Sequence, residues 1–467
     1  MSTILIPVLL SKNFARVYQK IPSYNNYYLA VNSQVKFNLS ILAILVFSLV
    51  IRFWNLSQFN TLVFDEVYYA KYGNEYLIGK EFFQSHPPLS QYLIAISIWI
   101  GSHFPADPET INNLTGSLRS TFSYRWLNAF TGSFIPLIIG AIAYQLTRRK
   151  TVFLITTFLA SLDGLFLVES RYALNNIYLI LFGLSGQLFF LLALQKNSNL
   201  NWLLLSGVCF GLAANIKWNG LGFLLGIFIF IGIAWLIKIL NQEQSKDNLW
   251  TKATNLRLED IFIALIIFPL VTYSLLWIPH LLVNHQYNFW QVHQEIWSFH
   301  QRIKGNQSDV HPYCSPWYSW LVMGRPVAYY FKRVGDKIYD VHAMGNPFLW
   351  WFSTVAILVV FSRLFNRKER VISAYLICNY IANLLPWLKI SRCTFLYHYM
   401  AAYSFTWIAL AWLLADGLES SSPIYKNGSR SLIILITFAF IYWLPIYLGI
   451  PLSVRDYYLR MIFPNWI

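Results

Sequence analysis

Charge is what this 467-residue chain has least of: Asp, Glu, Lys and Arg make up 12% of it, against 57% hydrophobic and 18% aromatic residues. A soluble domain carries roughly 25% charged residues. The shortfall excludes soluble multidomain enzymes, coiled coils, collagen-like repeats and disordered chains. Acidic residues are the scarcer sign, 20 against 35 basic, for a net charge of +15. That excess does not point to nucleic acid, because the basic residues stand in short runs between apolar stretches, the pattern of membrane topology. Cysteine is nearly absent: there are four, with no CxxC pair, so zinc-ribbon and thioredoxin-like chemistry is excluded. Cys209 and Cys378 lie in apolar segments and read as small buried hydrophobes. A leader cleavage site is also missing. The first apolar stretch, Ile4 to Leu10, is short and runs into Lys12, Arg16, Lys20 and Lys36, so no signal peptide is expected and the N-terminus is expected in the cytoplasm.

Long apolar runs are abundant. A spanning helix needs roughly 20 apolar residues, and candidates lie near 38–54, 122–146, 151–168, 176–195, 201–217, 219–240, 259–283, 346–365, 371–388, 395–414 and 430–450. The expectation is an all-α polytopic membrane protein of about eleven spans. Leu89 to Phe104 is short and introduced by two prolines. Read as an interfacial helix, it leaves Arg148-Arg149-Lys150, Lys196, the run Lys238 to Arg257 and the run Arg363 to Arg370 on the N-terminal side; read as a span, it expels them all. The interfacial reading is adopted. It leaves two large external regions, 55–121 and 284–345, within one membrane domain covering 1–467. Tyr68, Tyr72 and Tyr76 form a stripe at i, i+4 and i+8, expected at headgroup depth. The second region mixes Trp, Tyr, His, Gly and Pro without helical periodicity and is expected to be an ordered cap.

Under this topology Asp65, Glu66, His86, Arg125, Glu169, Arg171, Lys217, His311, Arg325 and Arg392 all fall at one interface. Ionisable groups at helix ends are costly unless paired or solvated, so their gathering marks a functional site, although each cation alone reads equally well as a snorkelling anchor. Carboxylates suit proton abstraction, and arginines suit a lipid phosphate held by a planar fork.

Phe64-Asp65-Glu66-Val67-Tyr68-Tyr69-Ala70-Lys71-Tyr72, followed by His86-Pro87-Pro88-Leu89, resembles the first external loop of the protein O-mannosyltransferases that use dolichyl or bacterial polyprenyl phosphate mannose. Further segments are similar in the same order: Ser170-Arg171-Tyr172-Ala173, Lys217-Trp218, His311-Pro312-Tyr313, Arg325-Pro326-Val327, and Arg392 through Tyr397-His398-Tyr399. The resemblance covers roughly 38–450. It implies the glycosyltransferase C (GT-C) fold with eleven spans, Asp65 as the catalytic carboxylate, and Glu66, with His86, toward the acceptor. It also implies Arg125, Arg392, Lys217, Tyr397 and His398 near the donor phosphate, with Arg171, His311 and Arg325 as further candidates. Departures are Ser90-Gln91 where Gly-Lys is usual, Asn176 where Asp is usual, and Ala401 where Pro is common. About sixty residues in the second external region cannot hold the β-trefoil of fungal and animal members, so the chain resembles the bacterial type.

Five histidines lie between His280 and His311 without an HxxxH or carboxylate cluster, and read as interfacial imidazoles rather than a metal site. Cys314 and Cys393 are both external, but nothing in the sequence brings them within reach, so free thiols are the default expectation. Asn113-Leu114-Thr115 and Asn306-Gln307-Ser308 fit glycosylation triplets that arise often by chance. The expected reaction is a single inverting displacement at mannose, with Asp65 taking the proton of an acceptor Ser or Thr while cations steady the leaving phosphate, and no cofactor. Expected partners are the lipid-linked donor, the acceptor polypeptide, membrane lipids and the export machinery, at the external face of the plasma membrane. Two alternatives stay open: a lipid or glycan acceptor, and a transporter or flippase, for which no internal repeat is found.

Overall fold

The computed structural model describes residues 24–195, 199–240, 248–302 and 311–467. The Ile4 to Leu10 stretch, Lys196 and the Asn306-Gln307-Ser308 triplet lie outside the described residues. The chain divides into two units, 1–44 and 45–467. The described part of the first is helical, the opening turns of the helix Tyr24–Phe53. The second unit holds the remaining elements and every candidate site residue.

Apolar runs become helices because lipid offers no partner for a free N–H or C=O. Among the described residues eight helices are long and apolar enough to cross a membrane, and a ninth is counted if the bent pair Lys150–Ser161 and Gly164–Arg171 is one span. The protein is a multi-pass membrane protein. Two of the eleven expected spans, 201–217 and 346–365, prove to be helices of 15 and 17 residues, Leu200–Ala214 and Pro347–Arg363, so length alone supports eight or nine. Leu89–Gly101 has 13 residues, about 20 Å of helix, too short to cross.

Close approach of small residues holds the bundle together. A Cβ at Gly207 would strike the Ala264 carbonyl, and one at Gly226 would strike Asn379, so at both places a neighbouring helix lies against bare backbone. The bent pair turns by 59° around Leu162 and Asp163. Asp163 caps the second helix by accepting from Phe166 N at 2.9 Å and also accepts from the Tyr403 hydroxyl at 3.0 Å. The bend carries Glu169 and Arg171 to the end of the bundle where Asp65 lies.

The two regions 55–121 and 284–345 are more regular than expected. Ile111–Leu114 and Ser117–Ser120 form a hairpin over Thr115 and Gly116, both at positive φ, as a two-residue primed turn requires. Val327–Val334 and Lys337–Ala343 form a second hairpin, joined by the short strand Leu452–Ser453. Among the described residues the fold is thus predominantly helical with two small antiparallel sheets outside the spans. The cap also contains an amphipathic helix, Phe289–Arg302, that buries Val292 and Ile296, in a region expected to lack helical periodicity. Cys314 and Cys393 form a disulfide with Cα atoms 5.2 Å apart, which corrects the free-thiol expectation. The tertiary fold supplies the proximity that a separation of 79 residues conceals.

Candidate active site

Asp65 and Glu66 are neighbours with opposite surroundings. The residue before them, Phe64, has φ 52°, a left-handed conformation that is strained for a bulky side chain. It is held there by stacking on Tyr329, ring centroids 4.2 Å apart, and by edge contacts with Phe395 and Tyr397. Asp65 then stands at the start of the helix Glu66–Ile78 without using its carboxylate as a cap. Glu66 points into the protein. Its oxygens accept from Arg125 Nε at 2.9 Å and Nη2 at 2.8 Å, from Val63 N at 2.8 Å and from Ala173 N at 2.9 Å.

Arg125 is equally committed. Besides its two bonds to Glu66, Nη1 donates to the Leu56 and Phe59 carbonyls, both at 3.1 Å, and Nη2 donates to Thr61 O at 2.9 Å. All five donors are spent and the side chain is fully buried, between the rings of Tyr124 and Tyr172. Two expectations are therefore corrected: Arg125 has no N–H left for a donor phosphate, and Glu66 has no lone pair facing an acceptor. The pair folds the loop that presents Asp65. Arg171, a further candidate, is held mainly by backbone. It donates to the carbonyls of Ile51, Arg52, Trp54 and Asn55, closing the end of the Tyr24–Phe53 helix. Arg325, another, ties the Pro312 carbonyl to those of Asn465 and Ile467.

The other candidates converge. A cavity of about 790 Å³ is lined by His86, Lys217, His300, Lys389, Arg392 and His398, among others, and among the described residues no carboxylate takes part in its wall. Asn215 holds the His86-Pro87-Pro88 turn in place, accepting from Leu89 N through both its backbone and side-chain oxygens at 3.2 Å. The Ser85 carbonyl meets His300 Nε2 at 3.0 Å, and the His86 and His300 rings lie 5.3 Å apart. Arg392 uses Nη1 on the Cys393 carbonyl, beside the disulfide. His398 meets the Phe395 backbone through Nδ1 and packs on Trp387. Lys217 Nζ lies 5.6 Å from the centre of the Tyr397 ring. His311 packs edge-on to Phe395 at 5.1 Å, behind Phe64 and outside the cavity wall.

Burial, opposed by the charge of Lys217, lifts the Asp65 carboxyl from the ordinary carboxylate range to about 6. Burial among Lys217, His300 and Arg392 pulls His86 well below the usual imidazole range, and His300 falls to about 4 for similar reasons. Both are neutral near pH 7, leaving Lys217, Lys389 and Arg392 as the cations. The arrangement combines a carboxylate that can take a proton near neutral pH with a pocket that favours an anion. Among the described residues no group of three or more His, Cys, Asp or Glu side chains is placed to hold a metal ion.

Several residues at the site have no role that the sequence assigns. His300 and Lys389 line the cavity, and Glu169, Asn176 and Tyr329 form a hydrogen-bonded chain leading to Lys217. A carboxylate inside an apolar run is the available signal for Glu169, and a departure from the family pattern is the signal for Asn176. Tyr329 carries none, since tyrosine is common throughout the chain.

Spans that deliver a cationic pocket and an uncapped carboxylate to one end of the bundle define a polytopic membrane glycosyltransferase of GT-C fold. The resemblance to solved structures agrees. The Saccharomyces cerevisiae protein O-mannosyltransferase Pmt1-Pmt2 complex bound to the sugar donor superposes with TM-score 0.77 at 14% identity, over 92% of this chain and 93% of the other. ArnT from Cupriavidus metallidurans bound to undecaprenyl phosphate gives 0.52 at 12% identity, over 86% of this chain and 70% of the other. The chain belongs to the dolichyl-phosphate-mannose-protein mannosyltransferase family, whose model matches residues 42–285, with the C-terminal four-transmembrane region of protein O-mannosyltransferases matching 285–466. A polyprenol-phosphate-mannose–protein mannosyltransferase of Corynebacterium glutamicum is 25% identical over 91% of this chain and 92% of its own length. One from Mycolicibacterium smegmatis is 22% identical over 89% and 90%.

Proposed function

We propose that this protein transfers mannose from a polyprenyl phosphate mannose to Ser or Thr hydroxyls of exported polypeptides, at the external face of the plasma membrane. The observation that carries the reading is the placement of Asp65: its carboxylate caps nothing and feels the charge of Lys217, which lines a cavity walled by cations and imidazoles. The acceptor hydroxyl attacks the anomeric carbon, Asp65 takes its proton, and the C–O bond to phosphate breaks with the electron pair leaving on the phosphate oxygen. Lys217 and Arg392 stabilise that oxygen, with His398 in the wall and Tyr397 packed beside Lys217. One displacement inverts the anomeric centre. The charge of the leaving group is met by side chains, so no cofactor is assigned. The relatives named for this donor and protein acceptor support the reading.

The test is transfer from radiolabelled polyprenyl phosphate mannose by the purified protein, with and without a Ser/Thr-rich peptide. Asp65→Asn keeps the shape and removes the base, so transfer should fall by ~100-fold or more with the melting temperature held. Near-normal turnover in that variant would dismiss Asp65. Labelled lipid or glycan in place of labelled peptide would move the assignment to another acceptor class.

A further inference from the structure

Behind the cavity runs a line of hydrogen bonds that the displacement above leaves unused. Lys217 Nζ donates to Asn176 Oδ1 at 2.8 Å, Asn176 Nδ2 donates to Glu169 Oε2 at 3.1 Å, and the Tyr329 hydroxyl donates to Glu169 Oε1. All four side chains are buried. An ammonium can only donate and an ionised carboxylate can only accept, so the ends of the line decide which way the amide faces. A neutral amide stands between the Lys217 amine and the Glu169 carboxyl group, which do not meet directly. Lys217 is thereby anchored through one N–H. No other protein partner takes its remaining N–H groups among the described residues, and it lines the cavity with Arg392. Tyr329 also stacks on Phe64, so the same line of contacts braces the residue that turns Asp65 into place.

We propose that Glu169 is a positioning residue: through Asn176, and braced by Tyr329, it supplies the buried negative charge that keeps the Lys217 ammonium charged and aimed at the anionic group the cavity receives. The nature of that group, a lipid-linked phosphate, rests on the function proposed above; the relay itself does not. An isolated ammonium at this depth would shed its proton. The charged groups that act on Lys217 are Asp65 and Glu169, which favour the ammonium, and Arg392, which opposes it, while burial pulls it below the ordinary lysine range.

The relay is tested by moving its charge one link. Glu169→Gln keeps the volume and removes the carboxylate. The pH midpoint for acetylation of Lys217 by acetic anhydride, read by mass spectrometry on the purified protein, should then fall. Binding of undecaprenyl phosphate in detergent should weaken roughly tenfold at pH 8 and less at pH 6, where the amine regains its proton. In the double variant Glu169→Gln/Asn176→Asp the chain is again complementary, because the relocated carboxylate accepts both from Lys217 and from the side-chain amide introduced behind it. The midpoint should return to at least its original value, and binding at pH 8 should recover. A merely volumetric role predicts no such rescue.

A folded Glu169→Gln protein with an unmoved midpoint, or a folded double variant that stays low, overturns the proposal. If the single variant does not fold, the double variant is scored directly against the parent protein by the same midpoint. If neither folds, Tyr329→Phe removes one hydroxyl and lets Glu169 take up a proton; it should lower the midpoint, and an unmoved midpoint rejects the relay. Should the parent protein fail to bind undecaprenyl phosphate at all, the phosphate reading of the cavity falls, and the acetylation midpoints still decide the relay.

Discussion

Asp65 and Glu66 show how far adjacent identical chemistry can diverge. Glu66 has every acceptor position filled and a guanidinium against it, whereas Asp65 has burial and a single cation at a distance. The pH consequences have opposite signs for stability and for activity. The Asp65 carboxyl moves from an ordinary 3.8 to about 6, so between those values the folded protein holds a proton that the unfolded chain has released. Its contribution to stability therefore falls as pH rises through that window, while the fraction competent to accept a proton rises. Transfer under donor-limiting conditions should climb through about pH 6 to a plateau, and a profile flat from pH 5 to 7 would show that another group is the base. For Arg125 the expected effect is on folding. Lysine keeps the charge but cannot serve three carbonyls and two carboxylate oxygens, so Arg125→Lys should cost ~3 kcal/mol, seen as a lower melting temperature and yield. Unchanged stability with a raised donor KM would return Arg125 to the phosphate.

At the scale of elements, the cavity is assembled where the ends of spans meet segments between them. The His86-Pro87-Pro88 turn, the helix Phe289–Arg302 and the stretch 385–392 each provide part of the wall. The disulfide fastens the last of these. Around it Ser315 N donates to the Thr394 carbonyl at 2.8 Å and the Thr394 hydroxyl donates to the Ser315 carbonyl at 2.7 Å, so the cap is pinned to the segment carrying Arg392. Replacing Cys314 and Cys393 together by Ser should lower thermal stability by ~2–4 kcal/mol, because the cross-link closes a long loop in the unfolded chain. Donor affinity should weaken with it, as Arg392 loses its anchor. A melting temperature equal to that of the parent protein would mean the hydrogen bonds alone hold the cap. The tyrosine stripe shows why elements are harder to read than spans. Tyr68 is exposed, but Tyr72 stacks on Phe82 and Tyr76 meets His280 Nδ1 at 2.6 Å, so two of the three rings face protein instead of headgroups.

Across the whole molecule the two ends of the bundle differ in kind. At the end opposite the cavity, Asp416 accepts from Arg149 Nη1 and, at 2.7 Å, from Arg363 Nη1, an ion-pair network that joins three helices. The orientation proposed above, with the active site outside, puts that end in the cytoplasm, as the positive-inside rule expects. Single cysteines at positions 107 and 336 should therefore react with an impermeant maleimide in intact cells, and one at position 367 only after permeabilisation. Labelling of 107 and 367 from the same side would reverse or dissolve the proposed orientation.

Composition and apolar run length are enough to establish a helical membrane protein, because a bilayer requires backbone hydrogen bonds to close within each span. The order of the Asp65-Glu66, HPPL, Lys217 and Arg392 motifs is enough to identify the family, and one-sided charge is enough to gather most candidate residues at one end. What each cation does emerges only in the folded chain. An arginine looks the same in sequence whether its five donors are all spent on carbonyls and a carboxylate, as in Arg125, or it lines a cavity, as in Arg392. Partner atoms contributed by residues 41 or more positions away decide between those fates, as they do for the bend at Asp163, the Cys314–Cys393 bond and the hold of Asn176 on Lys217. Run length and periodicity report only on neighbours along the chain, whereas hydrogen-bond satisfaction is a property of the folded volume.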